Sequence, residues 1–307
     1  MKTPDASLVP SPVPRPKKPS RFPALPAGIL AAWVTTCAWS ASAAPAGQIA
    51  FNSTRSGKYQ VWVINADGSA LRRLTASDQH ELYPAISPDG AQVAYVGFGV
   101  NQLRSCNLRT GQDILLYQAS DHLEDSQLCW SPEGSKLLFA EGYYHPHLKA
   151  LDLATGTITD YTAVNPSFGN EYWVGPMWVP RPEGDCLYFC ARHGWWNSYT
   201  ADIARLNLNT LAVEWVFPNE PTGDINYSTR NPGGYNPIAN RLVLGWGSDV
   251  STVDPDGTGR LELTSDSDFP QVFSDMPAWS PDGTTIVFGR YEASNNQWSL
   301  YFVSAQG

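Results

Sequence analysis

Pro277-Ala278-Trp279-Ser280-Pro281-Asp282-Gly283 is followed two residues later by the apolar run Ile286-Val287-Phe288. The same phrase stands near the other end of the chain, as Pro84-Ala85-Ile86-Ser87-Pro88-Asp89-Gly90 ahead of Val93-Ala94-Tyr95-Val96. A looser copy lies between them, Cys129-Trp130-Ser131-Pro132-Glu133-Gly134 ahead of Leu137-Leu138-Phe139. Physically the phrase is strand, tight turn, strand. Proline presets φ at the first corner, aspartate bonds the turn backbone, and glycine takes the positive φ that closes it. The flanking apolar runs then pair as a hairpin.

Outward from this phrase the chain lays itself out in repeated units. Each unit has an inner strand of the Pro-Ala-Trp-Ser type, a turn, and an apolar second strand. A loop then leads to a third strand, which ends in an Asp-Gly or Thr-Gly turn before a short outer strand. The second strand recurs at 49–51, 93–95, 137–139, 187–189, 242–244 and 286–288. The turn after the third strand recurs as Asn65-Ala66-Asp67-Gly68, Leu153-Ala154-Thr155-Gly156 and Asp254-Pro255-Asp256-Gly257, among others. A period of roughly 44 to 56 residues with four strands per unit is that of a β-propeller blade. The expected fold is all-β, a six-bladed propeller of four-stranded antiparallel blades with an incomplete closing blade. Six second, six third, five inner and five outer strands make 22 where six full blades need 24.

Composition agrees. The 307 residues contain 12 Trp, 14 Tyr, 25 Gly and 25 Pro, which suits many short strands joined by turns. The formal net charge is −9, and no Lys/Arg cluster follows residue 21. Nucleic-acid binding needs a basic footprint from which counterions are released, so that class is disfavoured, as is adhesion to anionic lipid.

Residues 1–21 are proline-rich and carry Arg15, Lys17, Lys18 and Arg21; an apolar stretch from Phe22 to Trp39 and then Ala41-Ser42-Ala43-Ala44 follow. Basic flank, short apolar core and small-residue exit predict a signal peptide over 1–43 cleaved near Ala43, ahead of a propeller domain over 44–307. Lipidation at Cys37 is disfavoured, because Thr36 is a poor residue just before the cysteine of a lipobox. Cleavage leaves 15 basic and 28 acidic residues, a formal −13, and no membrane span. The expected location is periplasmic or extracellular. Cys186 and Cys190 lie four residues apart on one strand, roughly 13 Å between Cα atoms, too far for a mutual disulfide. Pairing with Cys106 or Cys129 and four buried free thiols are both open.

The stretches 49–90 and 261–307 resemble the WD-repeat-like propeller repeats of the TolB type: an apolar "IAF" strand, an aromatic strand ending in Asp-Gly, "RLT", then "PAWSPDG". Between 164 and 247 only the outline of the repeat remains. The resemblance implies a six-bladed propeller that engages partner proteins at the cell envelope. The first strand begins just after the signal, without room for the extra N-terminal domain of that family. A generic protein-interaction role is therefore expected in place of a role in the Tol system.

In a four-stranded meander, the turns after the inner and third strands emerge on one face, and the remaining loops on the other. The first set is short and regular; the second is long and varied, and long loops on a rigid ring are where function sits. All five histidines fall in the second set: His80, His122, His145, His147 and His193. With them we select Asp125, Tyr143, Trp173, Trp195, Trp196, Tyr227 and Asp275 as the candidate ligand-binding residues of a loop face. No catalytic residue is assigned, since no G-x-S-x-G elbow or phosphate-binding glycine pattern occurs.

The leading expectation is an exported non-enzymatic scaffold for protein partners, without a cofactor. The alternative is a carbohydrate-active propeller, either a sugar binder or a metal-assisted oligosaccharide lyase. Some propeller lyases acting on acidic oligosaccharides hold a divalent metal with loop histidines, and His145-Pro146-His147 has the spacing that places two imidazoles on one side of an extended segment. No matching third ligand is apparent. Asp254-Pro255-Asp256-Gly257-Thr258-Gly259 lacks the bidentate glutamate of a calcium loop and reads as a hairpin turn.

Overall fold

The structure is a computed structural model and describes residues 20–21, 47–123, 127–143, 146–163, 172–193, 200–216, 230–246, 249–265 and 272–307. Its strands run as follows. Strand β1 is Ser20–Arg21, and β2 (Gln48–Ser53), β3 (Gln60–Asn65) and β4 (Arg72–Arg73) form the first blade. The second blade is β5 (His80–Ile86), β6 (Gln92–Phe98), β7 (Gln102–Asn107) and β8 (Asp113–Gln118). The third is β9 (Cys129–Trp130), β10 (Lys136–Glu141), β11 (His147–Asp152) and β12 (Ile158–Asp160). The fourth is β13 (Tyr172–Val179), β14 (Cys186–His193), β15 (Thr200–Asn207) and β16 (Val213–Trp215). The fifth is β17 (Arg230–Asn236), β18 (Arg241–Trp246), β19 (Asp249–Val253) and β20 (Leu261–Glu262). The sixth is β21 (Val272–Trp279), β22 (Thr285–Glu292) and β23 (Gln297–Ser304), with β1 as its outer strand.

All neighbours within a blade are antiparallel, so the chain is a six-bladed β-propeller with five four-stranded blades and one of three strands among the described residues. Every strand expected from sequence is present. The sixth blade gains its outer strand from Ser20 and Arg21, which pair with Phe302 and Tyr301. That pairing was illegible from the repeat, because it joins the far ends of the chain.

Each second strand reads as an unbroken apolar run because both of its faces are buried. Leu137 and Phe139 of β10 enter the layer shared with blade two, while Leu138 enters the layer shared with blade four. Six such layers exist, one at each blade boundary. The layer of Ile49, Phe51, Ala278 and Val287 joins blade one to blade six and closes the ring. Hydrogen bonds reinforce the boundaries: Trp130 Nε1 donates to the Ala85 carbonyl (3.0 Å), and Tyr188 Oη to the Pro255 carbonyl (2.7 Å).

The repeated phrase forms the hairpin it predicts. In blade six Gly283, at φ 70°, donates its N–H to the Ser280 carbonyl, and Asp282 Oδ1 accepts from Ser280 Oγ (2.6 Å) and the Thr284 N–H (3.1 Å). Ser280 Oγ also accepts from the Thr285 N–H (3.0 Å), a role for the serine beyond the expected Asp-Gly chemistry. Blade two repeats these contacts through Ser87, Asp89 and Gly90.

The proline of the phrase sits inside the inner strand, which tolerates it because the inner strands are edges and four of the five carry a bulge. The bulges fall at Leu82/Ala85, Val174/Met177, Pro232/Gly234 and Asp275/Ala278. Tyr83 and Met276, each just before the proline, take positive φ of 57° and 55° there. These strands therefore start earlier than the phrase suggests. Trp173 and Asp275, expected in loops, belong to β13 and β21.

All four described cysteines are buried free thiols, and burial pushes the Cys106 thiol up to about 11.

Candidate functional site

The loops after the second and outer strands do share one face. His80, the first residue of β5, accepts at Nδ1 from the Tyr59 N–H (3.1 Å), with ring centroids 5.5 Å apart. His122 lies 5.0 Å, centroid to centroid, from Tyr143 in the loop after β10, and its carbonyl accepts from the Gly142 N–H. Both contacts join a loop leaving an outer strand to a loop leaving a second strand.

The blade-three cluster is built on a residue that the sequence reading passed over. Glu141 ends β10, two residues beyond the aromatic Phe139, where the other blades place Ser53, Gly97, Ala191, Trp246 and Arg290. Its side chain is 1% exposed. Oε1 accepts from Ser120 N–H (2.9 Å), Ser120 Oγ (2.9 Å) and Asp121 N–H (3.2 Å). Oε2 accepts from Lys149 Nζ (3.0 Å) and Tyr117 Oη (3.1 Å). Desolvation alone would raise this carboxyl, but the bonds from Lys149 and Ser120 overcome it and hold the group below the ordinary carboxylate range. Burial and the neighbouring Glu141 charge push the Tyr117 phenol up to about 12. The lone acid at this position was the available signal, and comparison of the six second strands exposes it.

Glu141 thereby clamps the Ser120–Asp121 turn, and that turn carries His122. Asp121 Oδ1 accepts from the His122 N–H (2.7 Å) and meets its Nδ1 at 3.0 Å. The result is a fixed, solvent-facing group of acid, imidazole and phenol, with Tyr143 40% exposed. It can stack on a flat group and exchange hydrogen bonds with a polar one.

His147, the first residue of β11, stands apart from this group and bonds Asp160 Oδ2 through Nδ1 at 2.8 Å. No group of three or more His, Cys, Asp or Glu able to hold a metal occurs among the described residues. His145, Asp125, Trp195, Trp196 and Tyr227 lie outside the described residues, and so do the side chains of Trp173, His193 and Asp275. Of the twelve selected residues, the structure brings His122 and Tyr143 together and sets His80 and His147 separately on the same face.

No family model matches the chain. It is 40% identical over 50 residues to an uncharacterized protein of Agrobacterium fabrum, covering 16% of this chain and 17% of that protein. It is 36% identical over 71 residues to the Tol-Pal system protein TolB of Polaromonas naphthalenivorans, covering 22% of this chain and 17% of that one. The matched stretches thus span under a fifth of these relatives. Among solved structures, TolB from Acinetobacter baumannii superposes with TM-score 0.61 at 18% identity, over 84% of this chain and 63% of that one. An oligogalacturonate lyase from Vibrio parahaemolyticus superposes with TM-score 0.54 at 12% identity, over 89% of this chain and 90% of that one.

Proposed function

We propose that the chain, whose repeats resemble those of TolB and whose ring shares its fold, is an exported scaffold that binds a protein partner through its loop face. The observation that carries this reading is the clamped pair His122–Tyr143. A buried carboxylate holds two exposed recognition groups in one geometry, which lowers the ordering cost of binding. The acidic chain and its basic, apolar leader support export to the periplasm or beyond. The test is fractionation of cells that make the full chain, then cross-linking of the exported protein. A partner captured by the wild type and lost in His122→Ala/Tyr143→Ala supports the reading. Retention of the whole chain in the cytoplasm, or equal capture by the double variant, defeats it.

A second reading places an acidic-oligosaccharide ligand on the same face, where His80, His122 and His147 lie. A fold likeness at 12% identity carries no chemistry by itself. Binding of an oligogalacturonate that His147→Ala abolishes would favour it over the protein partner.

A further inference from the structure

The opposite face carries a second feature, at the place where the repeat is broken. In blades two, three and six the turn after the inner strand keeps its serine, and the glycine N–H bonds the carbonyl of Ser87, Ser131 or Ser280. In blade four Arg181 stands at the position of that serine, with Gly184 N–H bonded to its carbonyl, and two additional residues, Val179 and Pro180, precede it. In blade five Tyr235 occupies the position before the turn, and Asn240 takes φ 49°. These departures open a concavity of about 510 Å³ between blades four and five, walled by Pro180, Pro182, Pro255 and Tyr235.

The polar groups of this concavity are unevenly committed. Arg181 bonds Glu183 Oε1 through Nε (2.5 Å) and Tyr188 Oη through Nη1 (3.0 Å), and Tyr188 Oη donates onward to the Pro255 carbonyl. Tyr235 Oη is bonded to Asn240 Oδ1 (2.9 Å). Asp254 is paired with Arg241 at 2.8 Å. Asp256 has no cationic partner within ion-pair distance among the described residues, and its Oδ1 accepts only from Thr258 N–H and Oγ1. Three prolines have no N–H to offer. The site is therefore rich in acceptors and lined by three proline rings and the aromatic ring of Tyr235.

We propose that this concavity is a peptide-binding site that takes an extended, proline-flanked segment bearing a lysine or arginine, whose cation reaches Asp256 while its prolines pack on Tyr235 and Pro180. Proline-bearing segments are already extended and lose little entropy on docking against aromatic and proline rings. The charge balance selects the base: Arg181 is paired with Glu183 and Asp254 with Arg241, which leaves the carboxylate of Asp256 as the charge on the lining without an ion-pair partner among the described residues. The site is distinct from the His122–Tyr143 face and stands or falls independently of it.

The test uses the full chain and a fluorescein-labelled acetyl-(Pro-Pro-Lys)3-amide probe read by anisotropy, with its glutamate counterpart as control. The lysine probe is expected to bind and the glutamate probe to fail. Asp256→Asn is expected to weaken binding about tenfold at an unchanged melting temperature, and His122→Ala/Tyr143→Ala to leave it intact. A diazirine placed on the probe should label the Pro180–Pro182 segment or Tyr235, which keeps the test decisive if a variant folds poorly. Absence of binding, equal binding of both probes, unchanged affinity in Asp256→Asn, or labelling elsewhere overturns the proposal.

Discussion

Lys149 Nζ stands 3.0 Å from Oε2 of Glu141, so a carboxylate with 1% of its side chain exposed is neutralised by the adjacent strand. Glu141→Gln keeps the shape and removes the charge that Lys149 needs. Breaking one side of a buried pair costs on the order of 3 kcal/mol, to be read from denaturant unfolding. The folded carboxyl lies below its ordinary value, so its stabilisation is full above that value and is lost as pH falls through the folded pKa. The variant should accordingly show a flatter acid limb of stability against pH than wild type.

Glu81 has the opposite sign. It is 2% exposed, its Oε2 has no hydrogen-bond partner among the described residues, and desolvation raises its pKa despite help from Thr75 and Ser77. The folded state therefore binds this proton more tightly, and stability falls as pH rises from the ordinary carboxyl value through the folded one. Glu81→Gln should raise the melting temperature at pH 7 and make no difference near pH 3. A lower melting temperature at pH 7 would refute the assignment.

Gly233 of β17 packs against the inner strand of blade six. A Cβ there would stand 2.2 Å from the Pro277 carbonyl oxygen and 2.9 Å from its carbon. Backbone cannot yield as a flexible side chain does, so Gly233→Ala should cost about 1–3 kcal/mol by overpacking. Gly111, at φ 71° with nothing within 4 Å, is the control for backbone strain alone: Gly111→Ala should cost only about 1 kcal/mol. Equal losses in the two would show that the inner strands have room to part.

Among the described residues, Asp89 and Asp282 bond only their own turns and neighbouring hydroxyls. Asp89→Ala should cost about 1 kcal/mol of stability and leave partner choice unchanged, because the turn lies on the face opposite His122. Altered partner choice at an unchanged melting temperature would reverse the assignment of faces.

The chain lacking residues 1–43 should fold. It loses a two-residue outer strand but keeps the Ile49–Phe51–Ala278–Val287 layer that closes the ring. Its melting temperature should fall by no more than about 4 °C, on the order of 1 kcal/mol for a domain of this size. Failure to fold would make Ser20–Arg21 essential to closure.

Much of the fold was legible because its period is local. The Ser280–Asp282–Gly283 turn and the apolar strands beside it lie within a dozen residues, and two buried faces force each second strand to be continuously apolar. The blade count followed from that repetition. The candidate site was legible only by face. His122 and Tyr143 could be assigned to one side of the ring, but their contact depends on Ser120, Glu141 and Lys149, which meet through the pairing of β10 with β11 and the return of the loop after β8.

The sequence by itself thus determined the hairpin phrase, the sixfold recurrence of the apolar second strand and the face on which the histidines lie, since each rests on short-range turn chemistry and strand alternation. Only the tertiary structure decided that Ser20–Arg21 caps the last blade and that Glu141 is a buried clamp. It alone decided, too, that the broken turns of blades four and five open a pocket beside Asp256. Those relationships join residues far apart in the chain, and their energies come from burial and pairing that exist only after the ring has closed.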